Sequence, residues 1–163
     1  DREIKAVKSI LKDIIQWARE NPPTNSHRDD QDRWEVALLS PYQAQRYGLL
    51  SMVRSLTGIN MTTRFDLMKM ENPSPIMLMV NTTDRFQGQE ADVVFISLRN
   101  GGRIGFLNSP NRMNVALTRA REWRVIVGNH SYFSGQRGNM DDPMLQSLAA
   151  RHRSSLESAK GGN

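Results

Sequence analysis

The chain has 163 residues, of which 38% are hydrophobic and 24% charged, and these values are typical of one compact soluble domain. The formal net charge is +5, with 17 arginines and five lysines, and arginine is the side chain best suited to bidentate phosphate contacts. The lack of cysteine excludes disulfides, thiol catalysis and cysteine-ligated zinc, and no apolar run approaches the roughly 18–20 residues that a membrane span needs.

The first predicted element is a helix over 2–20, where apolar residues recur at intervals of three and four. The later ones are a strand over 34–40, a helix over 42–56, an ambiguous stretch over 57–75 in which 61–65 could form a strand, strands over 76–80 and 93–98, a helix over 110–121, a strand over 124–128 and a last helix from Asp142. The tail 154–163 is small and polar, so the predicted domain is 1–153.

Short apolar strands that alternate with helices predict an α/β domain whose mainly parallel sheet is covered on both faces. In such sheets ligands bind just beyond the carboxyl ends of the strands, so we expect functional residues after Ser40, Val80, Leu98 and Gly128. The chain starts with Asp1 instead of Met and has no signal peptide, which suggests a fragment of a larger intracellular protein. The sequence does not separate the nucleus from the cytoplasm.

The strongest nucleotide-binding signature, a GxxxxGK[ST] loop, is absent from the sequence, as is a strand that ends in an Asp-Glu pair for Mg²⁺. Its three histidines are far apart and have no metal-ligand spacing, so we predict no metal site. The glycines between Gly101 and Gly105 favour a hairpin or loop over a dinucleotide-binding turn. On its own, this chain should not hydrolyse a nucleotide.

Three segments could nevertheless carry function. At 40–45 a predicted strand gives way to a helix, whose first amides could bind an anion while Gln43 or Gln45 contacts a nucleic-acid backbone. The simpler interpretation is a capped helix with exposed glutamines. The polar stretch 80–92 joins two core strands, and Thr82 and Thr83 offer hydroxyls to phosphate oxygens.

Within that stretch, Gly88 allows a positive φ or a close backbone approach, Glu90 could accept a hydrogen bond from a ribose, and Gln87 could bridge neighbouring loops. Phe86 is more typical of a core residue than of a base-stacking one, and Asp92 could simply end the loop.

The third segment is 111–121. On a helix, Arg112 and Arg119 would share one face while Arg121 points elsewhere. An arginine at the end of that face could neutralise a transferring phosphoryl group, and the alternative is a solvent-facing arginine helix.

Together these segments closely resemble motifs IV, V and VI of the superfamily 1B helicases, the group that contains the nonsense-mediated decay helicase. Ser-Pro-Tyr-Gln-Ala-Gln at 40–45 resembles motif IV, and Thr-Thr-Asp-Arg-Phe-Gln-Gly-Gln-Glu at 82–90 resembles motif V. Asn-Arg-Met-Asn-Val-Ala-Leu-Thr-Arg-Ala-Arg at 111–121, followed by Val-Gly-Asn at 127–129, resembles motif VI. The resemblance covers about 34–130, in the order of the family.

The resemblance implies the second of two RecA-like domains, with ATP in the cleft between them and single-stranded RNA or DNA across their upper surface. Arg119 would be the arginine finger, Glu90 would help to hold the nucleotide with Gln87 and Gly88 beside it, and Gln87 would couple the two sites. Thr82 and Thr83, with Tyr42 and Gln43, would contact the nucleic acid.

By the same resemblance, ATP and Mg²⁺ would be bound mainly by the first RecA-like domain, which is the principal expected partner beside the nucleic acid and a regulatory protein. No membrane partner is expected. Two alternatives stay open: a RecA-like docking platform that has lost catalysis, and a Rossmann-type dinucleotide binder, which the lack of GxGxxG disfavours.

Overall fold

A five-stranded sheet organises the chain in the computed structural model, which describes residues 2–23, 33–59, 67–69, 75–98 and 110–129. The elements are α1 (Arg2–Glu20), β1 (Trp34–Ser40), α2 (Gln43–Thr57), β2 (Leu67–Lys69), β3 (Ile76–Thr82), β4 (Ala91–Leu98), α3 (Pro110–Leu117) and β5 (Ala120–Gly128). No helix among these residues is long and apolar enough to cross a membrane.

The strand order is β2-β3-β1-β4-β5. Strands β3, β1, β4 and β5 are parallel, and β2 pairs with β3 in the antiparallel direction. The predicted mainly parallel α/β sheet is therefore confirmed. Since Ser40 pairs with Thr82 where β1 and β3 end, we call that side of the sheet the carboxyl edge. We call the opposite side, where Ala91 pairs with Ala120 as β4 and β5 begin, the amino edge.

The strands are apolar without alternation because both faces of the sheet are covered. On β1, Val36 and Leu38 pack in one hydrophobic cluster with the buried faces of α1 and α2. Ala37 and Leu39 pack on the other face, in a second cluster that includes Phe86 and α3. All four β1 side chains are fully buried.

Most predicted elements agree with the structure to within a few residues. The helix over 2–20 is α1, and the helix predicted over 42–56 is α2. The strands over 34–40, 76–80, 93–98 and 124–128 are confirmed as β1, β3, β4 and β5, and the last three are longer than predicted. Strand β2 was not predicted. The alternative strand at 61–65, the glycine-rich loop, the last helix from Asp142 and the polar tail lie outside the described residues.

The prediction of one helix over 110–121 is wrong at its carboxyl end, because α3 stops at Leu117. The hydroxyl of Thr118 hydrogen-bonds back to the carbonyl oxygens of Asn114 and Val115, a pattern that competes with regular helix. The Ala91 amide then donates to the Arg119 carbonyl at 3.1 Å, and β5 begins at Ala120. Pairing with β4 therefore replaces the last predicted turn of helix.

Three tryptophans pack together and join α1, β1 and β5. The ring centroids of Trp17 and Trp34 are 5.1 Å apart, and Trp123 lies 4.7 Å from Trp17 and 6.0 Å from Trp34. The Trp34 indole donates to the Asn21 carbonyl at 2.7 Å, which satisfies its polar atom. The cluster thus fixes the end of α1 against the start of β1.

Candidate functional site

The first candidate residues lie at the carboxyl edge, where β1 and β3 end side by side. The Thr83 amide donates to the Ser40 carbonyl at 3.2 Å and extends the contact beyond the paired strands. Thr82 and Thr83 are each only 5% exposed. The Thr82 Oγ1 accepts from the Arg85 amide at 3.4 Å, whereas the Thr83 Oγ1 has no partner within the described residues.

Helix α2 begins at the same edge. Its N-cap residue, Tyr42, is partly buried and extended, and its amide donates to the Ser40 Oγ at 3.3 Å. Gln43 is exposed, but Gln45 is fully buried and donates through Nε2 to the Ser97 Oγ at 2.8 Å. The idea that both glutamines are exposed is therefore wrong for Gln45, and Gln43 alone of the two can reach a ligand.

Two arginines that the sequence analysis did not single out add positive charge at this edge. Arg46 is on the first turns of α2, and Arg85 follows Thr83 in the turn after β3. Burial lowers the pKa of the Arg46 guanidinium, and the charge of Arg85 lowers it further. No short motif in the sequence signals this influence of Arg85 on Arg46.

The turn after β3 carries Gln87 and Gly88. It is anchored by Phe86, which is 1% exposed and packs in the second cluster, so its predicted core role is confirmed. The Gln87 amide donates to the Asp84 carbonyl at 3.3 Å, and Gly88 has a φ of 83°. That left-handed conformation favours glycine, and Gln87 is exposed on the same turn.

Glu90 and Arg119 lie at the opposite side of the sheet, the amino edge. Glu90 directly precedes Ala91, whose amide donates to the Arg119 carbonyl. Val93 is level with Val36 in the sheet, four residues before Ser40, so the two edges are more than about 13 Å apart at ~3.3 Å per residue. The carboxyl-edge candidates thus lie just beyond the ends of strands, as expected, whereas Glu90 and Arg119 lie just before the strands β4 and β5.

Arg119 is in the turn between α3 and β5, so the argument that it shares a helix face with Arg112 is wrong. Its side chain is partly buried, and its Nε is buried without a hydrogen-bond partner among the described residues. No carboxylate in that part of the chain pairs with it. A partly buried guanidinium with an unused donor is suited to an anionic ligand.

Arg121 behaves differently from Arg119. Its Nε donates to the Asp92 Oδ1 at 2.9 Å, and its Nη2 pairs with the Glu35 carboxylate. Asp92 is fully buried, and its Oδ2 accepts from the Glu35 amide at 2.8 Å. Asp92 therefore does more than end a loop. No short motif in the sequence indicates this cluster, because its members are far apart along the chain.

No group of histidine, aspartate and glutamate side chains within the described residues could hold a metal ion. The candidate residues at the two edges instead offer hydroxyls, amides, guanidinium groups and the exposed carboxylate of Glu90. These groups can bind phosphates, riboses and nucleic-acid backbones.

A family model and several curated proteins are similar in sequence to this chain. A family model described as "AAA domain" matches residues 1–131. Among curated proteins, "Regulator of nonsense transcripts 1" of Dictyostelium discoideum is 31% identical over 122 residues, or 73% of this chain and 8% of the relative. "ATP-dependent helicase NAM7" of Saccharomyces cerevisiae is 33% identical over 124 residues, or 74% of this chain and 12% of the relative.

"DNA polymerase alpha-associated DNA helicase A" of the same yeast is 32% identical over 125 residues, or 74% of this chain and 15% of the relative. The chain thus spans 8% to 15% of the length of these relatives.

Proposed function

Because the chain belongs to the superfamily 1B helicases, in the group that includes the nonsense-mediated decay helicase, we propose that it is the second RecA-like domain of an ATP-dependent helicase or translocase. It supplies an arginine finger to the nucleotide and part of the grip on a single strand. A first RecA-like domain of the same protein holds most of the ATP and the Mg²⁺.

The main support for this proposal is the unused hydrogen-bond donor of Arg119. Its Nε is buried without a partner in the described part of the chain, and the exposed Glu90 lies beside its backbone at the amino edge. A guanidinium held in this way can stabilise the charge that develops on a transferring phosphoryl group. Glu90, with Gln87 and Gly88 before it, accepts hydrogen bonds from the ribose or orients the phosphates.

The carboxyl edge supports the nucleic-acid part of the proposal. Gln43 is exposed and Tyr42 is partly exposed, with Thr82 and Thr83 behind them and the charges of Arg46 and Arg85 nearby. Amides, hydroxyls and arginines at one edge fit a phosphodiester backbone, to which most protein contacts are made without regard to sequence. The names of the relatives mention both transcripts and DNA, so we propose a single strand of either kind.

The turn that carries Gln87 joins the two edges. It starts at Thr83, at the end of β3, and the chain reaches Glu90 at the beginning of β4. A change in the contacts to the nucleic-acid strand can therefore shift this short segment and, with it, the residues that contact the nucleotide. We propose that ATP binding and hydrolysis close and open the cleft between the two domains while this segment shifts the grip.

The test is hydrolysis of ATP by the full-length protein that contains this chain. We expect stimulation by a single strand, and we expect Arg119→Ala to lower the hydrolysis rate by about 10³–10⁵-fold. Because an arginine finger acts mainly in the transition state, the affinity for ATP should fall much less. The measurement is steady-state hydrolysis together with equilibrium nucleotide binding.

Arg54→Ala is the matched control, because Arg54 is an exposed arginine on α2, outside both candidate groups. It should hydrolyse ATP like the unaltered protein. Full activity in Arg119→Ala would contradict the finger assignment. A full-length protein that binds nucleic acid but hydrolyses no ATP would instead support a non-catalytic docking platform.

A further inference from the structure

A cluster of charges joins three strands at the amino edge. Glu35 is on β1, Asp92 on β4 and Arg121 on β5. The Arg121 Nε donates to the Asp92 Oδ1 at 2.9 Å, its Nη2 pairs with Glu35, and the Glu35 amide donates to the Asp92 Oδ2 at 2.8 Å. We call these three residues the amino-edge clamp.

The clamp is held by a buried carboxylate. Asp92 is fully buried, and both of its oxygens accept hydrogen bonds, so its charge is compensated where water cannot reach it. The partner must be arginine, because one planar guanidinium reaches two carboxylates in fixed directions and a lysine ammonium does not. Glu35 and Arg121 are partly exposed, with side chains 27% and 35% accessible, so they mainly add direction to the contact.

The clamp lies directly beside the two residues proposed to contact the nucleotide. Asp92 stands two residues after Glu90, and Arg121 stands two residues after Arg119. Between these pairs, the Ala91 amide donates to the Arg119 carbonyl at 3.1 Å. The clamp therefore connects the two backbone segments that carry the proposed nucleotide contacts.

A second contact holds the other side of the same turn. The Arg124 Nη1 donates to the Leu117 carbonyl at 2.9 Å, which satisfies an acceptor that the end of α3 leaves free. Thr118 and Arg119 thus lie between two fixed points, α3 on one side and the clamp on the other. The backbone that carries Arg119 has little freedom to move relative to Glu90.

We propose that Arg121, Asp92 and Glu35 are positioning residues that hold the Arg119 finger in one geometry, beside Glu90, for the transferring phosphoryl group. This inference rests on the proposed function of Arg119. In it, Arg121 does not contact the nucleotide, although it belongs to the same arginine-rich segment. Its role is exerted through the turn that it holds, and a shift of about 1 Å at that turn can cost about 10²-fold in rate.

The test uses the full-length protein and two ligands, ADP and ADP with aluminium fluoride, which mimics the transferring phosphoryl group. A correctly positioned arginine finger increases the affinity for ADP with aluminium fluoride and leaves the affinity for ADP almost unchanged. We expect Arg121→Gln to weaken binding of the mimic by about 10–100-fold, with ADP affinity changed less than threefold. In an Arg119→Ala background, Arg121→Gln should cause no further loss, since the finger is already absent.

Glu122→Gln is the matched control, because Glu122 is an exposed neighbour on β5 outside the clamp. It should bind both ligands like the unaltered protein. Glu35→Gln removes the partly exposed arm of the clamp and leaves the buried Asp92–Arg121 pair in place, so it serves where Arg121→Gln does not fold. We expect it to weaken the mimic severalfold without lowering ADP affinity.

The outcomes separate the two proposals. If Arg119→Ala weakens the mimic but neither clamp variant does, or if Arg121→Gln adds its full loss in the Arg119→Ala background, the clamp only stabilises the sheet and the inference is wrong. If Arg119→Ala itself leaves the mimic unaffected, the finger assignment fails, and the inference fails with it.

Discussion

Two glutamines at the start of α2 show how neighbouring side chains acquire different roles. Gln43 is exposed at the carboxyl edge, whereas Gln45 is fully buried and donates to the Ser97 Oγ at 2.8 Å. The Gln45 Oε1 has no partner within the described residues. Gln45 therefore connects α2 to β4 inside the fold, and only Gln43 is placed to meet a ligand.

This buried contact leads to a stability prediction. Ser97→Ala removes the acceptor of the Gln45 amide and leaves a buried donor unpaired, so the free energy of unfolding should fall by about 1–3 kcal/mol. Adding Gln45→Leu removes the unpaired groups as well, so the double variant should recover most of the loss. Urea denaturation measures both values.

Gln43→Ala is the control for this pair, because exposed substitutions usually change the free energy of unfolding by less than about 0.5 kcal/mol. If the double variant is less stable than Ser97→Ala alone, the contact is not the isolated polar pair described above.

At the level of elements, α2 and α3 both end in defined hydrogen bonds, and the end of α3 determines where Arg119 lies. Helix α2 ends at Thr57 and is capped by Gly58, which has a φ of 70° and whose amide donates to the Arg54 carbonyl at 2.8 Å. Helix α3 ends earlier than predicted, at Leu117, and the Arg124 guanidinium donates a hydrogen bond to the Leu117 carbonyl. The early end of α3 moves Arg119 off the helix and next to Glu90.

The cap of α2 can be tested directly. A Cβ at Gly58 would meet no atom within 4 Å, so Gly58→Ala introduces only the strain of a left-handed backbone, about 1–2 kcal/mol. The free energy of unfolding should fall by that amount in urea titrations. Gly58→Asn should cost less, because asparagine tolerates this conformation better.

Ser55→Ala, at an exposed position of the same helix, is the matched control and should not lower stability. Equal stability of Gly58→Ala and the unaltered chain would show that the cap does not hold the end of α2.

At the scale of the whole molecule, the sheet separates the two proposed functions. Gln43 and Thr82 are at the carboxyl edge, and Glu90 and Arg119 are at the amino edge. The edges are joined by the short turn that carries Gln87. With this arrangement, the proposed sites for a nucleic-acid strand and for a nucleotide do not overlap, so one domain could contact both ligands at the same time.

The arrangement also predicts what the 163-residue chain does alone. It should not hydrolyse ATP, with or without a single strand, because its sequence contains no GxxxxGK[ST] loop to hold the phosphates. Steady-state phosphate release compares it with the full-length protein, which should hydrolyse ATP. Hydrolysis by the chain alone that disappears in Arg119→Ala would contradict the assignment of the phosphate site to the first domain.

Features that depend on neighbouring residues could be predicted from the sequence. The apolar runs of β1, β3, β4 and β5 and the periodicity of α1 are local patterns, since a strand buried on both faces must be apolar throughout. Three short motifs with fixed spacing were enough to indicate the helicase family. The core role of Phe86 followed from the same kind of reasoning.

The environment of several candidate side chains and of their neighbours depended instead on residues far along the chain. Gln45 meets Ser97 across 52 positions, and the Glu35 amide meets Asp92 across 57. Arg119 left its predicted helix because pairing with β4 began at Ala120. Hydrogen bonds between distant strands outweigh the weak preference of a few residues for helix, so the tertiary fold alone distinguishes Arg119, with its unused donor, from Arg121, whose charge is paired.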